Sequence, residues 1–169
     1  TTTTFTELES WFGFAEDDRI VETTSNGDFD PSCLEEHPRV VYVGIAEESI
    51  EQTKTVLNLF LRATLDKLIE CGTRNVGGKL KRPVSIIVDE CPRLGRILGL
   101  EAMANSLRKR RVGLTFALQT CEQLAAVYQD GAASFLAAFN NHIFVPPVSE
   151  ADARRASDAS GMMEVVHAT

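Results

Sequence analysis

The sequence predicts an α/β fold, and three observations carry that reading. First, VVYVGI at 40–45, VSIIV at 84–88, VGLTFAL at 112–118 and HIFV at 142–145 are short runs, apolar and β-branched almost throughout, the pattern of strands buried on both faces. Second, stretches of helical periodicity separate them. Third, strands without a polar face, joined by helices, imply a mostly parallel sheet with helices on both faces.

The chain has 169 residues, the length of one domain, with 44% hydrophobic and 24% charged residues, ordinary values for a folded protein. That excludes collagen-like, mucin-like and wholly disordered classes. No apolar run approaches the roughly 18 residues that span a bilayer, and no basic-then-apolar leader is present. Thr1–Thr4 looks like a fragment edge. Residues 1–38 read as an irregular acidic lead-in, with turn signals at Asn26-Gly27-Asp28 and Asp30-Pro31. Trp11, Phe12 and Phe14 are expected to dock on the core. Residues 39–169 form the domain proper. The charge is asymmetric: residues 1–51 carry 13 acids and 2 bases (−11), residues 52–169 carry 11 acids and 15 bases (+4), which together give −7. Such a division lets one face of the chain meet a polyanion.

After the first run, Ser49 can cap a helix from about 49 to 70, stopping near Gly72. Its Ile50, Thr53, Leu57, Phe60, Leu61, Thr64, Leu65 and Leu68 share one side. A polar, basic loop follows over 71–82. A second helix is expected at 95–110, with Ile97, Leu100, Met103, Ala104 and Leu107 inward and Arg108-Lys109-Arg110-Arg111 at its end, where positive charge suits the helix dipole. Short helices are predicted at 121–128 and 131–139, and a last one at 149–159. Pro146-Pro147 ends the fourth run.

The sharpest feature is VSIIVDE, a buried run that ends abruptly in Asp89 and Glu90. In open α/β sheets ligands bind beyond the carboxyl ends of the strands. Asp89, continuing the strand, can hold Mg²⁺ through its water shell, and Glu90 can polarise a water that attacks a phosphate. This is a Walker B arrangement with its catalytic glutamate. The plainer alternative is a charged turn after a core strand. Gln119 again lies just past an apolar run; it can read a γ-phosphate or the attacking water, or simply bond a backbone group.

VSIIVDECPRLGRI, the helix after it, VGLTFALQTCEQLAAVYQDGAASFLAAFNNHIFV and the trailing SEADARRASDASG closely resemble the coupling proteins of type IV secretion systems, the conjugative DNA-transfer ATPases of the TraG/TraD kind. The upstream FDPSCLEEHPRVVYVGI and its helix are similar too, so the resemblance covers about residues 29–161. The resemblance implies a RecA-like P-loop NTPase fold in a membrane-anchored, hexameric ATPase at the inner face of the cell membrane. Such a motor uses ATP and Mg²⁺ to drive DNA, a relaxase–DNA complex or protein into the secretion channel. By the match, Asp89 is the magnesium-linked acid, Glu90 the catalytic base and Gln119 the phosphate sensor. Arg108 falls near the family's arginine finger, which reaches a neighbouring subunit's nucleotide. Arg108 can equally be part of a solvated helix end or of a basic patch touching phosphates without sequence preference.

A phosphate cradle, G-x-x-x-x-G-K-[ST] between strand and helix, is missing. In Gly72 to Leu80 the lysine, Lys79, arrives one residue late from Gly72, Leu80 replaces the hydroxyl, and the stretch follows a helix. It reads as a surface loop. In the family this sequence resembles, the cradle lies well upstream of the Walker B strand, so by that resemblance the chain looks like the Walker B half of a sheet that lacks the Walker A strand and loop, and it is expected to bind ATP weakly or not at all by itself. Three functional classes stay open: a motor portion competent only with its cradle half, a non-enzymatic assembly remnant, and a DNA-binding module using Lys79, Lys81, Arg82 and Arg108 to Arg111. Cys33, Cys71, Cys91 and Cys121 show no metal or redox spacing and are expected to be free thiols of a reducing cytosol; the acids before Cys91 would raise its pKa. His37, His142 and His167 are scattered, and His142 is expected to be structural.

Overall fold

The structure, a computed structural model, describes residues 18–25, 27, 29–145 and 149–161. Trp11, Phe12, Phe14, Pro146, Pro147 and His167 lie outside them. The elements run α1 (Asp18–Ser25), α2 (Cys33–Glu36), α3 (Ile50–Arg74), β1 (Val84–Val88), α4 (Leu100–Lys109), β2 (Val112–Phe116), α5 (Cys121–Tyr128), α6 (Ala132–Ala137) and α7 (Glu150–Ser160), with single 3₁₀ turns at Glu47–Ser49, Val76–Gly78, Cys91–Leu94 and Gln129–Gly131. The lead-in expected to be irregular thus contains two short helices.

β1 and β2 pair in parallel, Val84 opposite Val112 through Val88 opposite Phe116. Between them α4 crosses over, burying Leu100, Met103, Ala104 and Leu107; Ile97 is buried in the turn before it. The long helix α3 adds Leu61, Leu65, Leu68 and Cys71 to the same core. These side chains recur every three or four residues, so one stripe of α3 faces inward. α5 and α6 close the core with aromatics. Phe135 lies between Tyr128 and Phe139, at ring distances of 4.7 and 5.2 Å, and meets Phe116 edge-on at 5.7 Å. The buried Tyr128 hydroxyl accepts the Ile97 amide at 3.1 Å, so its polar tip is satisfied inside an apolar cluster.

Two sheet expectations are corrected. Among the described residues the sheet has two strands rather than four. Residues 40–45 and 142–145 form no regular structure and pair with no strand among the described residues, with Tyr42 and Ile143 both 91% exposed. An apolar run becomes a strand only when a neighbour takes its backbone hydrogen bonds, and nothing among the described residues does so here. Nor are both faces covered. Val84 and Val112 are buried and Ile86, Val88, Leu114 and Phe116 pack on the core, while Ser85, Ile87, Gly113 and Thr115 stay exposed. Helices sit on one face only among the described residues, leaving Ile87 74% exposed.

α3 runs to Arg74, past the stop expected at Gly72. Gly72 instead makes room for Arg110: a Cβ there would lie 2.9 Å from Arg110 Cγ and Cδ. The Arg110 guanidinium donates to Ile69 O (3.2 Å) and Thr73 Oγ1 (2.9 Å) on α3, and to Ser106 O (3.0 Å) and Oγ (2.8 Å) on α4. It ties the ends of the two helices together. Arg110→Ala is therefore expected to lower unfolding free energy by about 1–3 kcal/mol in urea titrations, while Lys109→Ala and Arg111→Ala stay within about 0.5 kcal/mol of the parent.

Candidate functional site

The end of β1 and the end of β2 form one lip. Their ladder continues past both strands, the Ala117 amide bonding Val88 O and the Cys91 amide bonding Ala117 O, each at 2.9 Å. Between those bonds the chain turns at Glu90, which adopts the left-handed conformation (φ 52°, ψ 47°). A non-glycine residue there carries local strain, and the result is to swing the Glu90 side chain toward β2. Gln119, three residues beyond β2, donates its side-chain amide to Glu90 Oε1. The structure therefore brings Glu90 and Gln119 together. Asp89 is exposed beside them.

Three further groups at this lip were not legible in the sequence. Arg93, in the 3₁₀ turn after Glu90, places its Nε 2.9 Å from Glu90 Oε2 and reaches Glu47 Oε1 at 3.3 Å. Both Glu90 oxygens thus have a partner that orients the carboxylate, and each keeps a free lone pair for a further donor. Asn58 of α3 donates to Leu94 O (3.2 Å) and Arg96 O (3.0 Å), and Arg62 donates to Leu98 O. These bonds pin the irregular stretch after Glu90 to the long helix. The only sequence signal was two polar residues on an otherwise amphipathic helix, which a solvated face explains equally well.

Arg108 is not part of this lip. The Leu80 amide bonds Arg110 O and the Val84 amide bonds Arg111 O, at 3.1 and 3.0 Å, so 108–111 sit where the strands begin. A five-residue strand separates the two rims by about 16 Å. Arg108 donates to Ala138 O at 3.0 Å, at the end of α6. Within one chain its guanidinium serves a helix terminus. The stretch 72–80 lies at this far rim as well. Gly77 and Gly78 there have φ of 81° and 68°, and Lys79 is exposed. Its first three residues, Gly72 to Arg74, belong to α3, and 75–80 form the loop expected, with no phosphate cradle.

Beyond Gln119, the carboxylate of Asp152 on α7 accepts the Cys121 amide at 3.2 Å, capping the start of α5 beside the Thr120 hydroxyl, which accepts the Gln123 amide at 3.3 Å. Ser149 caps α7 by accepting the Asp152 amide and donates to its carboxylate, each at 3.1 Å. α7 is thereby docked on the helix that follows the Gln119 tip. Burial raises the Asp152 pKa, but hydrogen bonds from Cys121 and Ser149, with the Arg155 charge, outweigh it and leave the group below its ordinary value.

The remaining candidates are structural. The Cys91 thiol is pushed up to about 11 by burial, rather than by the neighbouring acids, and is inert as a nucleophile. Among the described residues all four cysteines are free. His142 Nε2 lies 3.1 Å from Leu136 O and 3.0 Å from Phe139 O; carbonyls only accept, so this nitrogen carries a proton and caps α6. No three His, Cys, Asp or Glu side chains among the described residues cluster to hold a metal by themselves. One carboxylate acting through an ion's water shell needs no such cluster, and Mg²⁺ is commonly held this way beside phosphates. Asp89, exposed at the lip, fits that mode.

A family model described as "TraM recognition site of TraD and TraG" matches residues 83–169. The chain belongs to the TraG/TraD family of coupling proteins. The matched region starts one residue before β1 and includes Asp89, Glu90 and Gln119. No curated protein and no solved structure matches the chain. No described helix is long and apolar enough to cross a membrane.

The Asp152 contacts give a pH prediction. Its folded pKa is depressed, so its contribution is present above the unfolded value and is lost as pH falls through the folded one. Acidification should weaken α7 docking, read as a lower protection factor, the intrinsic exchange rate at the same pH divided by the observed one, at the Cys121 amide. Asp152→Ala should lose about 1 kcal/mol of stability at neutral pH and flatten that acid dependence. An unchanged acid profile would remove Asp152 from the docking.

Proposed function

We propose that this chain is the Walker B half of an ATP-hydrolysing motor that couples DNA or protein substrates to a type IV secretion or conjugation channel. The observation that carries the reading is the Glu90–Gln119 contact at the carboxyl ends of two parallel strands. That is the rim where α/β sheets receive ligands. Family membership supports it independently.

In this reading Asp89 holds Mg²⁺ through its water shell, and Glu90 accepts the proton of the attacking water. Gln119, bonded to Glu90, ties the state of the β2 tip to that carboxylate. Bound Mg-ATP would supply the bond to be cleaved and the charge that organises these groups. Arg93 and Gln119, one on each Glu90 oxygen, orient the carboxylate and leave it lone pairs to receive that proton. Arg108 lies at the opposite rim of its own chain, so a finger role requires that it serve a neighbouring copy, as in a ring of identical subunits. The phosphate cradle is contributed by polypeptide outside these residues, at the inner face of the cell membrane. Residues 83–169 also offer a surface for a TraM-type partner, and the motor's cargo is DNA or a relaxase–DNA complex.

The test is Glu90→Gln in the assembled motor. An amide cannot accept the proton, so turnover should fall at least about a hundredfold while nucleotide stays bound, followed by phosphate release and by a fluorescent nucleotide. Hydrolysis at the parental rate would take Glu90 out of the chemistry.

A further inference from the structure

The rim where β1 and β2 begin gathers positive charge on a chain whose net charge is −7. Its two segments, 75–83 and 108–111, are tied together by the backbone bonds from Leu80 to Arg110 and from Val84 to Arg111. Arg110 is taken up by α3 and α4, and Arg108 by the end of α6. Lys79, Lys81, Arg82, Lys109 and Arg111 are exposed. Among the described residues none of these five is in an ion pair, although seven other pairs decorate the surface.

The loop that carries three of them is held in shape. Glu35, only 6% exposed, accepts the Asn75 side-chain amide at 2.7 Å and the Lys81 backbone amide at 3.0 Å, and Leu80 is buried in the core. Glu70, near the end of α3, is held by Lys67 and Arg74 at 3.3 and 2.7 Å. Glu36 is exposed and makes no ion pair with the five cations among the described residues.

Val76 stands in the same loop and is fully exposed. The two residues after it, Gly77 and Gly78, have φ of 81° and 68°, a left-handed backbone that glycine adopts without steric cost and that turns the chain back toward Lys79. A bare valine beside cations adds nothing for a sugar-phosphate backbone, which needs only the charges. It is also too little for the apolar centre of a protein interface. It suits the boundary of a lipid bilayer, where an apolar tip enters and basic side chains meet headgroup phosphates. The carboxylates of the Glu90 lip oppose this weakly, because one strand length, about 16 Å, exceeds the screening length of about 8 Å at physiological salt.

We propose that this rim is a docking surface for an anionic lipid membrane, with Val76 entering the interface and the five cations lying on headgroup phosphates. The strands run from this rim to the lip, so a chain seated this way turns Glu90 and Gln119 toward the aqueous side. The inference does not rest on the ATP chemistry: it needs no nucleotide and none of its residues lies at the lip.

The test is co-sedimentation of the 169-residue chain, without nucleotide, with vesicles of equal parts phosphatidylcholine and phosphatidylglycerol, and with vesicles of phosphatidylcholine alone. The parent should bind the anionic vesicles only, and less as salt rises. Lys79→Gln/Lys81→Gln/Arg82→Gln and Lys109→Gln/Arg111→Gln should each weaken binding at least about tenfold. Lys54→Gln/Arg154→Gln, which removes two cations outside the rim, should stay within about twofold of the parent. Val76→Ser should weaken binding about fivefold and leave its salt dependence unchanged. Urea midpoints check that each variant folds; if the loop triple does not, the Lys109→Gln/Arg111→Gln pair decides. Parental binding in the rim variants, or an equal loss in the control pair, would overturn the proposal. So would binding of a fluorescein-labelled oligothymidylate, indifferent to Val76→Ser, by a chain that leaves both vesicles in the supernatant assay untouched.

Discussion

The pairing of β1 with β2 is the constraint on which the rest depends. Neither strand has another partner among the described residues, so their register alone decides which residues share each rim. With Val84 opposite Val112 and the ladder continued to Cys91, Glu90 and Gln119 must emerge together. A slip of β2 by one residue would turn Leu114 and Phe116 from the packed face to the bare one. The apolar core under the sheet therefore holds the geometry of the polar lip. The bonds from Asn58 and Arg62 then fix the stretch after Glu90, where no regular structure could do so.

The same pairing separates two kinds of chemistry. α4 carries the chain back from the end of β1 to the start of β2, so the cations at its last turn arrive at the rim opposite the carboxylates. The separation keeps the cations from quenching the carboxylates of the lip, at the cost of repulsion among the grouped bases. It also means that four adjacent bases have different duties. Arg110 is absorbed by Gly72, Thr73 and Ser106, Arg108 serves the end of α6, and Lys109 and Arg111 make no ion pair among the described residues.

Much of this was legible in the sequence, for physical reasons. β1, β2, α3 and α4 follow from runs and periodicities that a core enforces locally, and Asp89, Glu90 and Gln119 were visible as polar breaks at the ends of apolar runs. The segments 40–45 and 142–145 carry the same apolar signal yet find no strand partner among the described residues, because strand formation depends on a neighbour as well as on composition. Gly72 reads as a helix stop, but its use is close approach by an arginine 38 positions later in the chain. Arg93, Glu35 and Asp152 gain their roles from tertiary contacts, and surface acids and bases of the same appearance occur throughout the chain. Sequence patterns report what a segment does to itself; they are silent on which distant group it meets.

The contact between the Gln119 amide and the Glu90 carboxylate is the most direct test of the account. Side-chain nuclear Overhauser effects in a uniformly labelled sample measure it. The account predicts cross-peaks from the Gln119 amide protons to the Glu90 methylenes, together with amide protection at Ala117 and Cys91 equal to that of β1. Absence of those cross-peaks, with Ala117 and Cys91 exchanging as freely as the loops, would contradict it.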